Sequence, residues 1–364
     1  MKKLSVLLLI AALLCTLCSC RRLDNEQVAA AFARTAEFNY DNASRVVSEA
    51  AGFTVPADFL KQLGEEKSQQ LVAEAKSGSF DDSIWRKVTG FTRHVVCDTL
   101  NGALNADNIF DFGNNGSDSF TVSFVGDILL DPDIVSLANN HVFDYGEDAF
   151  YDTLDNLKKA GIPYIGAGRN IEEAKKGCYF VINGCKVGIV AASRAEKVRF
   201  TPVSTADTPG VMGTYDNADF LNVIKDARAQ CDLLFVYVHW GTENSTALEQ
   251  AQIKGAREYI DAGADVIVGA HTHCLQGMEF YNKKPIIYSV GNFWFNSKTL
   301  DSCVMTFTVD KDMNVQTQIL PLLQKGCETR LLTAENERRA LFDRVESYEP
   351  QGVSISDDGI VTSK

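Results

Sequence analysis

The spacing of hydrophobic positions along this chain changes near residue 120. Before that point, apolar residues recur at helical intervals in three stretches, residues 25–49, 57–76 and 85–104. Such spacing predicts amphipathic helices. Residues 111–118 are rich in Gly, Asn, Ser and Asp, which is typical of a loop. We therefore predict a mainly helical N-terminal segment with a linker over residues 21–118.

After that point, short apolar runs alternate with segments of helical periodicity. The runs, predicted as strands, are residues 120–125, 186–192, 232–239, 265–269 and 286–290. The periodic segments, predicted as helices, are residues 147–160, 217–229 and 248–262. Strands that are hydrophobic along their whole length and lie between helices indicate an α/β fold with covered sheets. We assign this domain to residues 119–325.

The end of the chain follows a different pattern. Apolar residues over 303–309 and 315–320 predict a hairpin that closes the domain. Residues 326–364 are predicted as a C-terminal helix followed by a loose polar tail.

The first twenty residues have the features of a signal peptide. Lys2 and Lys3 precede an apolar run over residues 4–14 that is too short to span a bilayer comfortably. The run leads to Leu17-Cys-Ser-Cys20, which resembles a bacterial lipobox. On this interpretation Cys20 carries a lipid that anchors the chain to the extracytoplasmic face of the membrane, in the cell envelope. An ordinary secretory signal cleaved nearby is the alternative.

Composition and charge narrow the class of protein. The chain has 364 residues, of which 45% are hydrophobic and 23% charged, as in a globular protein. Its net charge of −13 repels nucleic acid, so we expect no nucleic-acid partner. The cysteines after Cys20 include no Cys-x-x-Cys pair, which disfavours a structural zinc site. Cys178 and Cys185 flank a predicted hairpin and are the only disulfide pair we can suggest.

Polar residues cluster where the predicted strands end. They are Asp127, the Asn139-Asn140-His141 cluster, His239 and the pair His271 and His273. Four of the five histidines of the chain lie in these clusters. Because sites in open α/β sheets form beyond the carboxyl ends of the strands, we expect these side chains to meet.

These residue types favour metal chemistry. His271 and His273 are two positions apart, so in an extended segment both can face one ion, or one can face an ion and the other a substrate. Imidazole, carboxylate and amide oxygen together suit zinc, manganese or iron. Such ions lower the pKa of a water molecule and hold a phosphoryl or acyl oxygen. His141 is placed to protonate a leaving group, and Asp144 to orient that imidazole.

The roles of four other polar residues are less clearly indicated by the sequence. Asn292 is either a further site residue or a turn asparagine. Glu243 and Glu279 are expected to be solvated charges, and His94 a half-buried structural histidine.

The motifs around the clusters resemble those of the CapA family, the capsule-synthesis or poly-γ-glutamate biosynthesis proteins of bacterial envelopes. The matching stretches are residues 124–130, 136–146, 161–168, 236–241, 262–273 and 289–293. The resemblance covers about residues 120–325. It implies a fold similar to calcineurin-like metallophosphoesterases, a two-sheet sandwich flanked by helices. It also implies metal-site roles for five residues, with His141 as the acid; the five are Asp127, Asn140, His239, His271 and His273.

One departure from the family pattern concerns the site itself. In the family, a long segment with an Asn-Leu-Glu motif separates the Gly-Asp strand from the Asn-Asn-His loop. Here Asp127 and Asn139 are only twelve positions apart, which removes roughly a strand-helix-strand unit near residues 131–134. Asp131 or Asp133 are candidate substitutes for the lost carboxylate. The site is accordingly expected to hold two ions, one or none.

Three functions remain open at this point. The first is an envelope hydrolase that uses Mn, Zn or Fe to cleave a phosphoester or a polymer link. The second is a non-catalytic accessory protein in the synthesis or export of an anionic capsule polymer, with that polymer or its synthesis machinery as partner. The third is a surface-binding lipoprotein with a relic site. Four basic residues are candidates for polymer contact: Lys197, Arg199, Lys283 and Lys284.

Overall fold

The structure, a computed structural model, describes residues 38–78, 80–104, 106–126, 133–195, 201–295 and 298–364. Contacts between residues divide the chain into two compact units, Met1–Gly78 and Ser79–Lys364. Several predictions fall outside the described residues: the signal peptide with Cys20, the carboxylates Asp127 and Asp131, and the basic residues Lys197 and Arg199. Over the part that is described, no helix is both long and apolar enough to cross a membrane.

The described part of the first unit is helical, as predicted. Its helices are α1 (Tyr40–Ala51), α2 (Ala57–Leu63) and α3 (Glu65–Ser77). The side chain of Asn39 accepts a hydrogen bond from the Asn42 amide and so caps α1. Val47, Leu60 and Leu71 are completely buried. The apolar positions that predicted these helices therefore form their interior.

The larger unit contains the predicted α/β domain and more of the chain than expected. Its helices are α4 (Asp82–Thr89), α5 (Arg93–Leu100), α6 (Gly146–Ala160), α7 (Ile171–Ala174), α8 (Ala218–Arg228), α9 (Gln250–Ala262) and α10 (Glu335–Ser347). Its strands up to residue 239 are β1 (Ile109–Asp111), β2 (Ser119–Phe124), β3 (Val135–Ser136), β4 (Tyr164–Ile165), β5 (Ala167–Gly168), β6 (Cys178–Ile182), β7 (Cys185–Ser193), β8 (Gly210–Val211) and β9 (Leu233–His239). The later strands are β10 (Val266–Ala270), β11 (Met278–Tyr281), β12 (Lys284–Ile287), β13 (Leu300–Asp310), β14 (Val315–Lys325), β15 (Glu328–Leu331), β16 (Val353–Ile355) and β17 (Ile360–Ser363).

Seven strands form the larger sheet in the order β1-β6-β7-β9-β10-β12-β11. The pairs β7–β9 and β9–β10 are parallel, as the alternation of strands and helices predicts. The pair β10–β12 is also parallel, although no helix lies between these strands. One face is covered by α8 and α9, because Phe220 and Tyr259 share an apolar cluster with Val236. The predicted α/β fold is thereby confirmed.

The second sheet is antiparallel and follows the order β16-β17-β14-β13-β2, with β15 paired to β14. Its long β13–β14 pair is the predicted closing hairpin. The two sheets pack face to face through aromatic rings: the centroid of Phe235 lies 5.1 Å from that of Phe124 and 5.4 Å from that of Phe307. This packing agrees with the two-sheet sandwich implied by the family resemblance.

Residues 79–118 lie in the larger unit, whereas the sequence placed them in the N-terminal segment and linker. Strand β1 adds to the edge of the seven-stranded sheet by pairing with β6. Val95 of α5 packs in the cluster beneath that sheet. The Nδ1 atom of His94 lies 2.6 Å from Asp232 Oδ1. Periodicity predicted one helix over residues 85–104, where the structure has two, α4 and α5. It also carries no information on which core receives their apolar face.

The predicted polar tail is also structured. Val353, Ile355 and Val361 are buried, while their neighbours Ser354 and Thr362 are exposed. This alternation is a strand signal that the polar composition concealed. As β16 and β17, these residues extend the second sheet, and helix α10 packs against the same core.

The cysteines of the described residues are all free thiols. The suggested pair is wrong, because the strand register places Cys185 opposite Ile182 and Cys178 opposite Ile189. Burial raises the pKa of Cys178 and that of Cys231 to about 12. Cys327 is exposed in the turn after β14.

We predict that alkylation of the native protein selects among these thiols. Brief iodoacetamide treatment at about pH 8 should label Cys327 and spare Cys178 and Cys231, because a thiol with a raised pKa forms almost no thiolate. Peptide mass spectrometry measures each site, and labelling in urea is the control in which all three react. Equal labelling of the three thiols in the native protein would contradict this packing.

A close approach of two strands makes Gly269 irreplaceable. A Cβ atom on Gly269 would lie 2.0 Å from the carbonyl oxygen of Tyr288, whereas one on Gly255 in α9 would come no closer than 3.5 Å to any neighbour. We predict that Gly269→Ala lowers the free energy of unfolding by about 1–3 kcal/mol or more, since the backbone must shift. Gly255→Ala, the matched control, should be neutral or stabilising by up to about 1 kcal/mol. Urea denaturation measures the free energy of unfolding of both variants. Equal values for the two variants would refute the prediction.

Candidate metal centre

The parallel pairing of β9 and β10 brings two predicted site histidines to one edge of the sheet. The register places His239, the last residue of β9, opposite Ala270, the last residue of β10. His271 follows directly, so both imidazoles lie at the carboxyl end of the strands. This is where sites in such sheets form.

Asn140 reaches the same place by another route. Strand β3 pairs with β4, and the Leu137 amide then donates to the Ile165 carbonyl. The chain turns after Ala138, which is buried. The turn directs the side chain of Asn140 toward His239.

Three atoms that could act as metal ligands lie close together at this point. The Nε2 atom of His239 lies 2.8 Å from Asn140 Oδ1 and 3.0 Å from His271 Nδ1. The three residues are between 2% and 4% exposed. Buried polar groups of this kind need partners, because an unsatisfied one costs stability.

Hydrogen bonds alone give these three polar atoms a poor arrangement. A single N–H on His239 Nε2 points in one direction and cannot make linear hydrogen bonds to both Asn140 and His271. If His271 donates instead, the amide oxygen of Asn140 faces a nitrogen whose lone pair is already used. A cation between the three atoms uses all of their lone pairs at once.

The spacing of the three atoms also suits a metal ion. Two ligand atoms bound to one ion at about 2.0–2.2 Å, with angles between about 90° and 110°, stand roughly 2.8–3.6 Å apart. The observed separations of 2.8 and 3.0 Å fall within this range. Imidazole and amide ligands fit a divalent transition metal such as zinc, manganese or iron.

The loop that carries His271 and His273 is not the extended segment expected from the sequence. Both residues have positive φ, 95° and 56° respectively. Such conformations cost about 1–3 kcal/mol for a residue with a side chain and tend to occur at functional sites. The Thr272 hydroxyl, which lies 2.8 Å from the hydroxyl of Ser289, ties the loop to the next strand connection.

This turn separates the two imidazoles. Their centroids are 6.3 Å apart, and His273 does not point at His239 but at Asn292, whose Oδ1 lies 2.7 Å from its Nδ1. Asn292 is fully buried. Of the two interpretations of this asparagine, the site residue is therefore favoured. The ring of Phe295 stacks on His273 at 4.8 Å.

The predicted acid pair lies beside this cluster. His141 Nδ1 is 2.9 Å from Asp144 Oδ2, and both side chains are about half exposed, at 53% and 50%. His141 Nε2 lies 3.4 Å from the side-chain nitrogen of Asn140. The carboxylate therefore holds one side of the imidazole while the ring remains open to solvent.

Comparison with known proteins supports the family resemblance. The family model described as bacterial capsule synthesis protein PGA_cap matches residues 128–297. The CapA family is the one that these residues match. The matched region includes Asn140, His239, His271 and His273.

Individual relatives agree with the family match. The chain is 33% identical over 193 residues to the PGA biosynthesis protein CapA of Bacillus subtilis, which covers 52% of this chain and 50% of that protein. It is 32% identical over 215 residues to the capsule biosynthesis protein CapA of Bacillus anthracis, covering 57% and 51%. A probable polyglutamine synthesis accessory protein of Mycobacterium tuberculosis is 32% identical over 173 residues, covering 45% of each. The chain thus spans about half the length of the curated relatives it matches.

Not every predicted site residue can be placed in this domain. Asp127 and Asp131 lie outside the described residues, and Asp133 is exposed. Gly126, the residue before Asp127, packs against Gly291, so closely that a Cβ atom would lie 1.8 Å from its carbonyl oxygen. The described residues contain no group of three or more His, Cys, Asp or Glu side chains suited to a metal, since the third member of the histidine cluster is an amide.

The two glutamates near the clusters have different surroundings. Glu279 is buried, accepts from the Tyr288 hydroxyl at 2.7 Å and pairs with Arg257 at 3.0 Å, so the expected solvated charge is wrong there. Pairing explains its burial, because an unpaired buried carboxylate is very costly. Glu243 is 43% exposed, and its Oε1 lies 4.0 Å from His273 Nε2. The sequence indicated that Glu243 lies near the clusters and predicted a solvated charge, but it did not identify the approach to His273.

Two buried glutamines hold the loop between β9 and α9. Gln252 donates to Gln276 Oε1 at 2.9 Å, and Gln276 donates to the carbonyl oxygens of Ser245 and Ala247 at 3.1 Å. Both glutamine side chains are fully buried. This network fixes the segment that carries Glu243.

Gln276→Ala should lower the free energy of unfolding by about 2–3 kcal/mol, because it leaves the Gln252 amide and two carbonyl groups without their partner. Gln230→Ala, at an exposed glutamine, is the control and should change stability by less than about 0.5 kcal/mol. Urea denaturation measures both. A Gln276→Ala variant as stable as the control would show that the network contributes little.

Proposed function

We propose that this chain is a cell-envelope protein of capsule or poly-γ-glutamate biosynthesis whose CapA-family domain is a metal-dependent hydrolase. The observation that carries the proposal is the convergence of Asn140, His239 and His271 at separations of 2.8 and 3.0 Å. Two relatives support the biological setting, since one is named for PGA biosynthesis and the other for capsule biosynthesis.

The proposed chemistry assigns distinct roles to the described residues. Asn140, His239, His271 and His273 would hold one or two divalent ions; Asp127, which lies outside the described residues, is the fifth proposed ligand. Zinc, manganese or iron bound there supplies Lewis acidity toward a phosphoryl or acyl oxygen. His141 protonates the leaving group, and Asp144 orients its ring through the 2.9 Å contact to Nδ1.

The proposed location is the extracytoplasmic face of the membrane. It rests on the lipobox-like residues 17–20 and on a lipid at Cys20. Two acyl chains on one cysteine suffice for stable anchoring. An envelope location places the domain next to the polymer and its synthesis machinery, which we propose as its partners.

A specific observation favours a second function, a binding or assembly protein without catalysis. The described residues offer no third carboxylate, histidine or thiol to the cluster. Two of the candidate basic residues are described. Lys284 forms an ion pair with Asp265, with Nζ 3.1 Å from Oδ1, so Lys283 is the one proposed to contact an anionic polymer. On this view the domain retains the family fold and contributes contacts instead of chemistry.

Metal content separates the two functions. The purified full chain should contain near-stoichiometric zinc, manganese or iron by elemental analysis, and His271→Ala/His273→Ala should lose it because the variant lacks two imidazole ligands. His94→Gln, which removes an imidazole outside the cluster, is the matched control and should retain metal. Circular dichroism establishes that each variant is folded.

The metal-loaded protein should also hydrolyse bis(p-nitrophenyl) phosphate, with activity lost in the double variant. A folded wild-type protein that takes up none of the three metals after incubation would contradict the hydrolase and favour the assembly protein.

A further inference from the structure

Strands β14 and β17 of the second sheet pair only briefly before they separate. Their antiparallel ladder consists of two residue pairs and ends at Thr317 opposite Val361. Residues 315–316 belong to β14 and residues 362–363 to β17, but the ladder between the two strands does not include them. The two strand ends therefore leave an opening in the sheet. We call this opening the strand gap and define it by residues 315–316 and 362–363.

Backbone hydrogen-bonding groups of both strands face the strand gap. The Ile319 amide donates to the Gly359 carbonyl at 2.9 Å, which shows that Ile319 directs its backbone groups toward β17. Alternate residues of a strand bond on the same side, so Val315 faces β17 and Ser363 faces β14. The register would place these two residues opposite each other, but the ladder ends before it reaches them. Strand edges of this kind are templates for pairing with another chain.

The strand gap opens into a cleft of about 440 Å³ that residues of both sheets line. Ligand sites in proteins have volumes of about 300–1,000 Å³, so the cleft is large enough for a short segment of a chain. Phe280 of β11 and Val315 of β14 form apolar walls that pack against the core. Polar groups come from Thr317 in β14 and from Lys283 in the turn between β11 and β12.

The hydroxyl group of Thr317 is buried without a hydrogen-bond partner. This residue is only 2% exposed, and its Oγ1 forms no hydrogen bond within the part of the chain that the structure describes. Burial of a hydroxyl without a partner costs stability, and valine would fill the same volume without that cost. A ligand that hydrogen-bonds to Thr317 offsets the cost, so this side chain is suited to ligand contact.

Lys283 supplies positive charge to the cleft. Its side chain is exposed, in a turn where the backbone has a φ of 64°. The neighbouring Lys284 pairs with Asp265, whereas Lys283 forms no ion pair with any residue that the structure describes. Its ammonium group is therefore available to a carboxylate of a ligand.

The cleft lies at the opposite edge of the seven-stranded sheet from the candidate metal centre. Strand β12 runs parallel to β10 and begins at Lys284, next to Lys283. His271 instead follows the last residue of β10. A ligand in the cleft thus contacts residues that belong to a separate site.

The groups that line the cleft define the chemistry of a suitable ligand. Backbone groups at an open strand edge bind the amides of an extended chain. Phe280 packs against aliphatic carbon atoms, and Lys283 attracts a carboxylate. A chain whose repeating unit combines an amide, a short aliphatic segment and a carboxylate matches all of these groups. Poly-γ-glutamate has this composition.

We propose that the cleft at the strand gap binds a segment of poly-γ-glutamate. Val315 and Ser363 pair with chain amides, Thr317 donates to a chain carbonyl and Lys283 pairs with a carboxylate. This inference rests on the proposed role in poly-γ-glutamate biosynthesis and deepens it by naming where the polymer is held. It does not depend on metal at the histidine cluster.

Calorimetric titration of the purified full chain with short poly-γ-glutamate at low ionic strength tests the proposal. Thr317→Val should weaken binding by about twofold to tenfold, because one hydrogen bond to the polymer is lost. The melting temperature of this variant without polymer should be unchanged or higher, since its hydroxyl has no partner to lose. A purely structural threonine would show the reverse pattern, a lower melting temperature with unchanged binding.

A charge variant provides the second test. Lys283→Gln should weaken binding by about twofold to fivefold, and added salt should reduce the difference, because the ion pair is exposed. Lys225→Gln removes the same charge from an exposed position on α8 and should bind like the wild type. Equal binding by the wild type and by Thr317→Val and Lys283→Gln would refute the cleft as the binding site and leave the proposed function standing.

Amide hydrogen exchange followed by mass spectrometry locates the bound polymer. Poly-γ-glutamate should slow exchange in the peptides that contain Val315 and Ser363, and unchanged exchange there despite binding would overturn the proposal. Poly-α-glutamate should bind more weakly, because its methylene groups lie in the side chains. If it binds equally or more tightly, an acidic protein segment is the occupant and the polymer assignment is wrong. A folded wild type that does not bind poly-γ-glutamate also overturns the proposal, whereas metal content tests the hydrolase separately.

Discussion

The arrangement of the site depends on the parallel pairing of β9 and β10. That register places the end of β9 level with the end of β10, so His239 and His271 emerge side by side. The strands are buried on both faces by two apolar clusters. A shift of one residue would turn each side chain to the opposite face of the sheet. Burial of the strands therefore holds the imidazoles in register.

The same edge concentrates features that cost stability. His271 and His273 adopt positive φ, and Asn140, Asn292 and the histidines bury polar atoms. The surrounding fold offsets these costs through close backbone approaches and a hydrogen-bonded glutamine pair. Proteins concentrate such strain where ligands bind, because a relaxed loop would not present its side chains in the required directions. The geometry of the cluster is thus a property of the whole sandwich.

Different parts of the molecule were predictable to different degrees. The strands β7, β9, β10 and β12 and the helices α6, α8 and α9 follow from strong patterns in the chain. The position of residues 79–118 and the strands β16 and β17 did not follow, because amphipathic and alternating patterns define a buried face without naming its partner. Of the site, the sequence predicted the clusters around His239 and His271, since few histidines occur elsewhere.

By itself, the sequence determined the α/β class, the family resemblance and the residues that carry the candidate chemistry. Those properties are local, because they depend on residue type and spacing. Three features follow from the three-dimensional fold alone: His271 faces His239 whereas His273 faces Asn292, Glu279 forms an ion pair with Arg257, and Glu243 lies 4.0 Å from His273. These outcomes depend on strand register and on positive φ in one loop, which residue spacing does not encode. Glu243, four positions after His239, approaches His273 only because the fold brings its loop back toward that residue.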